Sequence, residues 1–210
     1  MEMVAEDASF CAEDMCNIFA LRRASNGGAG SAGGAGVGLE RIAAMHSGEF
    51  INRLRRAALV RTPGEVLPEV GRGHVCGADC KTALVALMPE RQVVWASADG
   101  SIGVVLPLAD ASVFARLSAL EGVLAEQRHL AVSPGHAAWR GPMQNPEPLS
   151  ADPAAREGFV DGDLVERVLR LPRAGQSAIV EAVTARGVRF PAAAGVEGLV
   201  KEVDELSRLH

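Results

Sequence analysis

The sequence predicts a β + α chain, with strands in its first half and helices in its second. Three observations carry this. Asp99-Gly100 stands between two apolar, β-branched runs, which is the pattern of a hairpin. After Pro107 the apolar residues change to helical spacing. The closing segment places Val196, Leu199, Val200, Val203, Leu206 and Leu209 on one stripe, with Glu197, Lys201, Glu202, Glu205 and Arg208 outside it.

Along the chain, Asn17 to Arg23 (NIFALRR) reads as a short strand. Ser25 to Gly38 (SNGGAGSAGGAGVG) cannot bury apolar area and is expected to be a disordered tract or long surface loop. Leu39 to Val60 fits strand or helix on pattern alone. Arg61 to Cys80 holds Pro63, Gly64, Pro68, Gly71, Gly73 and Gly77 and reads as a loop. Ala83 to Met88, Gln92 to Ala98 and Ile102 to Leu108 read as strands, the last two joined by a turn with φ > 0 at both Asp99 and Gly100.

Val113, Phe114, Leu117, Leu120 and Leu124 then follow helical spacing, with Asp110 or Ser112 as the cap. Ser133 to Glu157 contains Pro134, Pro142, Pro146, Pro148 and Pro153 and reads as an irregular connection. Asp161 or Asp163 caps a helix running to about Leu171, where Pro172 stops it. Ala174 to Arg186 reads as another helix, ended by Gly187, and the stripe from Val196 forms the last.

Composition excludes several functions. The 210 residues carry 21 Lys and Arg against 26 Asp and Glu, a formal charge of −5, which argues against a strongly basic nucleic-acid or membrane-surface binder. No apolar run reaches the length of a membrane span. Met1 to Asp14 carries acids where a secretory signal has basic and apolar regions. Four cysteines in so long a chain point to a reducing compartment. The wealth of Ala, Gly and Arg runs through the whole chain, so Arg over Lys is discounted as a recognition signal. Six Phe, two Trp and no Tyr leave little for stacking on single-stranded bases.

Each candidate chemical motif has a plainer reading. Gly28-Ala29-Gly30-Ser31-Ala32-Gly33 satisfies G-x-G-x-x-G, whose glycines let backbone approach a pyrophosphate. It lies in Gly/Ala/Ser repetition, and no βαβ unit follows, so nucleotide binding is only a minor alternative. His74, Cys76 and Cys80 have zinc-ligand chemistry but lack a second ligand pair, since Cys11 and Cys16 are not spaced as C-x-x-C; no metal is expected. Asp161-Gly162-Asp163 resembles a cation cluster, but helix capping explains it better. Ser177 lacks the flanking glycines of a nucleophile elbow. His46, His129, His136 and His210 have no patterned partner and read as surface or half-buried residues.

Three blocks, in order, resemble one family. His46-Ser47-Gly48-Glu49-Phe50-Ile51-Asn52 is similar to H-x-G-E-F-V-N. Ser97-Ala98-Asp99-Gly100-Ser101-Ile102-Gly103 is similar to T-V-N-G-x-I-G. Gly158-Phe159-Val160-Asp161-Gly162-Asp163-Leu164-Val165-Glu166 is similar to G-F-I-D-G-D-L-I-E, and Leu206-Ser207-Arg208-Leu209-His210 is similar to L-T-R-I-H. Weaker echoes lie at Asn17-Ile18-Phe19 and at His136 to Arg140. The family is the large subunit of the damage-specific DNA-binding complex, the adaptor of cullin-4 ubiquitin ligases. It belongs to the wider superfamily of cleavage/polyadenylation specificity factor A subunits. The likeness covers nearly the whole chain except 25–38 and 61–80, which look like insertions.

The resemblance implies a partial β-propeller over residues 1–108, the last blades of a third propeller, followed by a C-terminal helical domain over 109–210. Leu39 to Val60 is then β. It implies a non-enzymatic adaptor in DNA-damage recognition and protein ubiquitination, without a cofactor, located in the nucleus and also in the cytoplasm. Its partners would be substrate-receptor proteins that present a helix, and cullin-4 through parts missing from this chain; DNA would be contacted only indirectly or weakly, and no membrane is implied. The receptor pocket carries over to Phe50, Asn52 and Ala98. Ala98 is smaller than the family's Val, and Arg53 stands where the family has an apolar residue. About six strands cannot close a propeller, so the 210 residues are expected to be a fragment or truncated product of a longer protein. A scaffold subunit of a polyadenylation or splicing complex is the alternative.

Overall fold

The computed structural model describes residues 2–3, 8–23, 38–57, 92–108, 110–127, 135–144, 147–148, 158–190 and 195–208. The chain forms two compact units. One comprises Met1–Arg56, Val93–Gly103 and Val132–Phe159; the other comprises Ala57–Gln92, Val104–Ala131 and Val160–His210. The Gly-rich repeat, the segment with His74, Cys76 and Cys80, and the run Ala83 to Met88 lie outside the described residues.

In the first unit, β1 (Glu2–Met3), β2 (Ala8–Ala12), β3 (Asn17–Arg23) and β4 (Leu39–His46) form an antiparallel sheet in chain order. Phe10, Ile18, Ala43 and Ala44 are buried, while the ends of β3 and β4 at Arg22, Arg23, Leu39 and Glu40 are exposed. A second antiparallel sheet orders β5 (Ile51–Arg56), β6 (Val93–Ser97) and β7 (Ile102–Val105). The stretch Leu39 to Val60, ambiguous by pattern, thus forms two strands, β4 and β5, joined by the turn at Ser47 to Phe50, with no helix among its described residues.

β5 carries a bulge: Ile51 pairs with Ser97, but the next paired residue, Arg53, faces Ala96. Strict alternation would send Ile51 and Arg53 to the same face. The extra residue shifts the phase, so Ile51 and Leu54 are buried while Asn52 and Arg53 are both exposed.

The β6–β7 turn differs from the two-residue form expected of Asp-Gly. The Ser97 N–H donates to the Ser101 carbonyl at 2.9 Å and the Gly100 N–H to the Ser97 carbonyl at 3.3 Å. Gly100 has φ +92°, and Cys16 is the one non-glycine at positive φ among the described residues. Asp99 is therefore not left-handed, and Gly100 alone closes a three-residue loop. Residues 133–157, expected to be irregular, contain a short helix, α2 (His136–Arg140), and a two-stranded pair, β8 (Met143–Gln144) with β9 (Glu147–Pro148).

The described elements of the second unit are mainly helices. In α1 (Ala111–Glu126), Asp110 caps the start by accepting from the Ser112 N–H at 2.7 Å. The next helix is shorter than expected: α3 (Gly162–Val165) tightens into a 3-10 turn at Glu166–Arg170 before Pro172. α4 (Arg173–Ala185) ends at Gly187 with φ +82°, and α5 (Gly195–Ser207) closes the described chain.

Leu120, Val168, Ile179, Val183, Leu199 and Val203 are fully buried in one core. Glu202, expected on the solvent side of α5, is buried instead, where it accepts from the Arg116 guanidinium of α1 at 2.7 Å. The helical stripe places Glu202 beside Val203 but says nothing of a cation on another helix.

Candidate partner-binding site

The turn from β4 to β5, Ser47 to Phe50, is tied from three directions. On the side of the β2–β3 turn, the Ser47 N–H and hydroxyl donate to the Cys16 carbonyl at 2.8 and 2.6 Å. On the side of α2, the Arg140 guanidinium donates to the carbonyls of Ser47 at 3.2 Å and His46 at 3.4 Å. From the β6–β7 turn, the Ala98 N–H donates to the Phe50 carbonyl at 2.9 Å. The Ser97 and Ser101 hydroxyls donate to the Glu49 carboxylate, and these bonds hold its pKa below the usual range.

Gly48 is required on two counts. Its φ is +80°, and a Cβ there would stand 2.9 Å from the Trp139 ring. The same ring meets His46 edge-on, with centroids 5.7 Å apart. The His46 Nδ1 lies 3.3 Å from the Asn17 Oδ1, and Asn17, wholly buried, donates in turn to Glu13. Burial lowers the pKa of His46, the Arg140 charge lowers it further, and a bond to the Met15 carbonyl partly offsets both. His46 therefore has partners that its sequence context did not reveal.

These ties hold Phe50 out. The residue is 44 % exposed, although it lies between a tightly bonded turn and the buried Ile51. Asn52 is exposed through the bulge, and Ala98 is exposed at the turn bonded to Phe50. Phe50, Asn52 and Ala98 are thus each exposed, Phe50 and Ala98 being joined by a backbone bond, and Arg53 is exposed next to Asn52 in sequence. Asp161 belongs to the helical unit. There it caps α3 by accepting from the Leu164 N–H at 3.3 Å, and its own N–H donates to the buried Glu121 at 3.1 Å. Gly162 and Asp163 occupy the first turn of α3, both exposed.

No group of three or more His, Cys, Asp and Glu is placed to hold a metal ion among the described residues. Ser177 donates to the Arg173 carbonyl within α4. Cys11 and Cys16 are free thiols, and burial pushes the Cys11 pKa up. Glu49, Trp139 and Arg140, which brace the site, were not singled out by sequence reasoning. Glu49 stood inside the block His46 to Asn52, and Trp139 and Arg140 inside the weaker echo at His136 to Arg140, but none of them was given a role.

The CPSF A subunit region family matches residues 1–170. The chain belongs to that family. Over all 210 residues it is 28 % identical to DNA damage-binding protein 1 of Oryza sativa subsp. japonica and 26 % identical to DNA damage-binding protein 1b of Arabidopsis thaliana. DNA damage-binding protein 1 of Solanum lycopersicum is 28 % identical over 214 residues. In each case the match covers the whole chain but spans only 16 % of the relative's length. Within this CPSF A subunit region protein, the three resemblance blocks fall on the β4–β5 turn, the β6–β7 turn and the start of α3.

Proposed function

We propose that this chain forms the receptor-docking end of a non-enzymatic adaptor, one that links substrate receptors to a cullin-4 RING ubiquitin ligase in DNA-damage recognition and repair. The observation that carries the reading is the exposure of Phe50, Asn52 and Ala98, with Ala98 bonded to the Phe50 carbonyl. An aromatic ring held out of its own core, beside an amide side chain and a small residue, suits an amphipathic helix. The ring supplies apolar area, Asn52 bonds the helix backbone or a polar side chain, and Ala98 leaves room. The relatives, named as DNA damage-binding proteins, support the same reading.

The antiparallel meanders β1–β4 and β5–β7 have the form of propeller blades, and we assign them to the end of a β-propeller, with the helical domain following. Cullin contact would come from parts of the adaptor outside this chain, and DNA contact from its partners. The nucleus is the expected location. A second reading, a scaffold subunit of a polyadenylation complex, is favoured by the family description itself.

Titrating the 210-residue chain with a labelled helical peptide from a substrate receptor separates the two. The adaptor reading expects saturable binding that Phe50→Ala weakens at least about tenfold, the scale of an aromatic anchor. Binding that is absent, or indifferent to Phe50, favours the scaffold.

A further inference from the structure

Helix α2 has no place in the docking surface as the sequence defines it, yet its Trp139 and Arg140 both meet the turn that presents Phe50. We propose that Trp139 and Arg140 are positioning residues for partner docking: together they clamp the Ser47–Phe50 turn so that the Phe50 ring is held outward before a partner arrives. This rests on the docking reading above.

The geometry is specific. Arg140 reaches two successive carbonyls, those of His46 and Ser47, with one terminal nitrogen. Two successive carbonyls accept from a single side chain only if the backbone between them is bent, and Gly48 follows at φ +80°. Trp139 closes the other side. Its ring lies so close to Gly48 that a Cβ would not fit, and it packs edge-on against His46, yet half of it (49 %) stays exposed. A large aromatic spent on a backbone turn contributes little burial of its own. It does restrict the turn's conformations, as a binding surface requires if it is not to lose entropy on docking.

The remaining ties come from Cys16 on the β2–β3 turn and from Ser97, Ala98 and Ser101 at the β6–β7 turn. Arg140 and Trp139 brace the turn from outside both hairpins. Asn17 and the Met15 carbonyl bond the edge of the His46 ring, and Glu13 bonds Asn17 in turn, so the imidazole that Trp139 packs against is itself held in place.

Three readouts on the full 210-residue chain test the clamp: peptide affinity, amide hydrogen exchange across Ser47–Phe50, and the ¹⁹F resonance of 4-fluorophenylalanine placed at Phe50. Arg140→Ala is expected to weaken peptide binding about tenfold, the scale of lost bonds to a charged group. It should also speed exchange at Gly48 and Glu49 and broaden or shift the fluorine line. Arg140→Lys, which keeps a donor but not the planar fork, should fall between wild type and Ala. Trp139→Phe preserves an aromatic and guards against a Trp139→Ala variant that fails to fold; it should give the same changes in smaller measure. Unchanged exchange and an unchanged fluorine line in Arg140→Ala and Trp139→Phe would overturn the clamp. Changes in both, with a wild-type chain that binds no peptide, would support the clamp and refute the docking reading.

Discussion

The two units hold themselves together by different means. In the helical unit, side chains such as Leu120, Ile179, Val183, Leu199 and Val203 are removed from water altogether, and its buried carboxylates each meet a donor: Glu202 the Arg116 guanidinium, Glu121 the Asp161 N–H. In the strand unit, the turn that carries Phe50 is held by hydrogen bonds to carbonyls and a carboxylate, and large aromatic area is left exposed at Phe50 and Trp139. Apolar packing is non-directional and stabilises whatever buries most area. Hydrogen bonds fix direction at a small net gain. The contrast is between a part held by non-directional burial and a part whose turn is held by directional bonds.

That comparison is broken first where the helical core is emptied. Ile179→Ala should cost about 4 kcal/mol by urea unfolding, through lost transfer energy and the cavity left at a site with no exposure. Arg116→Ala comes next, at about 3 kcal/mol, because it leaves the Glu202 carboxylate buried without its cation; Arg116→Ala together with Glu202→Met should recover much of the loss. In the strand unit a smaller effect falls on Gly158. Its φ is +88°, and a Cβ there would lie 2.5 Å from the Ala43 Cβ and 3.0 Å from the Ile42 carbonyl oxygen. Gly158→Ala should cost about 2 kcal/mol, in strain and displaced β4 backbone.

A smaller effect comes from pH. The folded pKa of His46 lies below its ordinary 6.5, so its neutral form stabilises the strand unit above that value. The contribution is lost as pH falls below 6.5 and through the lowered folded value. Glu49 and Asp110, also lowered, keep theirs above the carboxylate range and lose it only in stronger acid. Thermal unfolding followed against pH should therefore fall in two steps, and His46→Gln should remove the step nearer neutrality while leaving the acid one.

The helical unit was largely legible in the sequence, and the strand unit only in outline. One-sided apolar spacing marks α1 and α5, Asp110 and Asp161 stand where caps are needed, and Gly187 ends α4, because local backbone chemistry alone decides these features. The hairpin at Asp99-Gly100 was legible for the same reason, though its loop is one residue longer than the dipeptide implied. What escaped depends on neighbours distant in sequence. The β5 bulge that exposes both Asn52 and Arg53 follows from pairing with β6. Helix α2 is too short to show a period among prolines. The burial of Asn17, Glu121 and Glu202 is settled by donors and acceptors elsewhere in the chain. Phe50, Asn52 and Ala98 came from resemblance to a family, since no composition or spacing rule predicts that an aromatic will be held outside its core.

The most direct measurement is the affinity of a receptor-derived helical peptide for the wild-type chain and for Phe50→Ala, with thermal unfolding of both alongside. The account predicts a loss of at least about tenfold in affinity with stability changed by less than about 0.5 kcal/mol, because the ring is already exposed in the free protein. Equal affinities, or a Phe50→Ala variant that is markedly less stable, would contradict it: the ring would then serve the fold and not the partner.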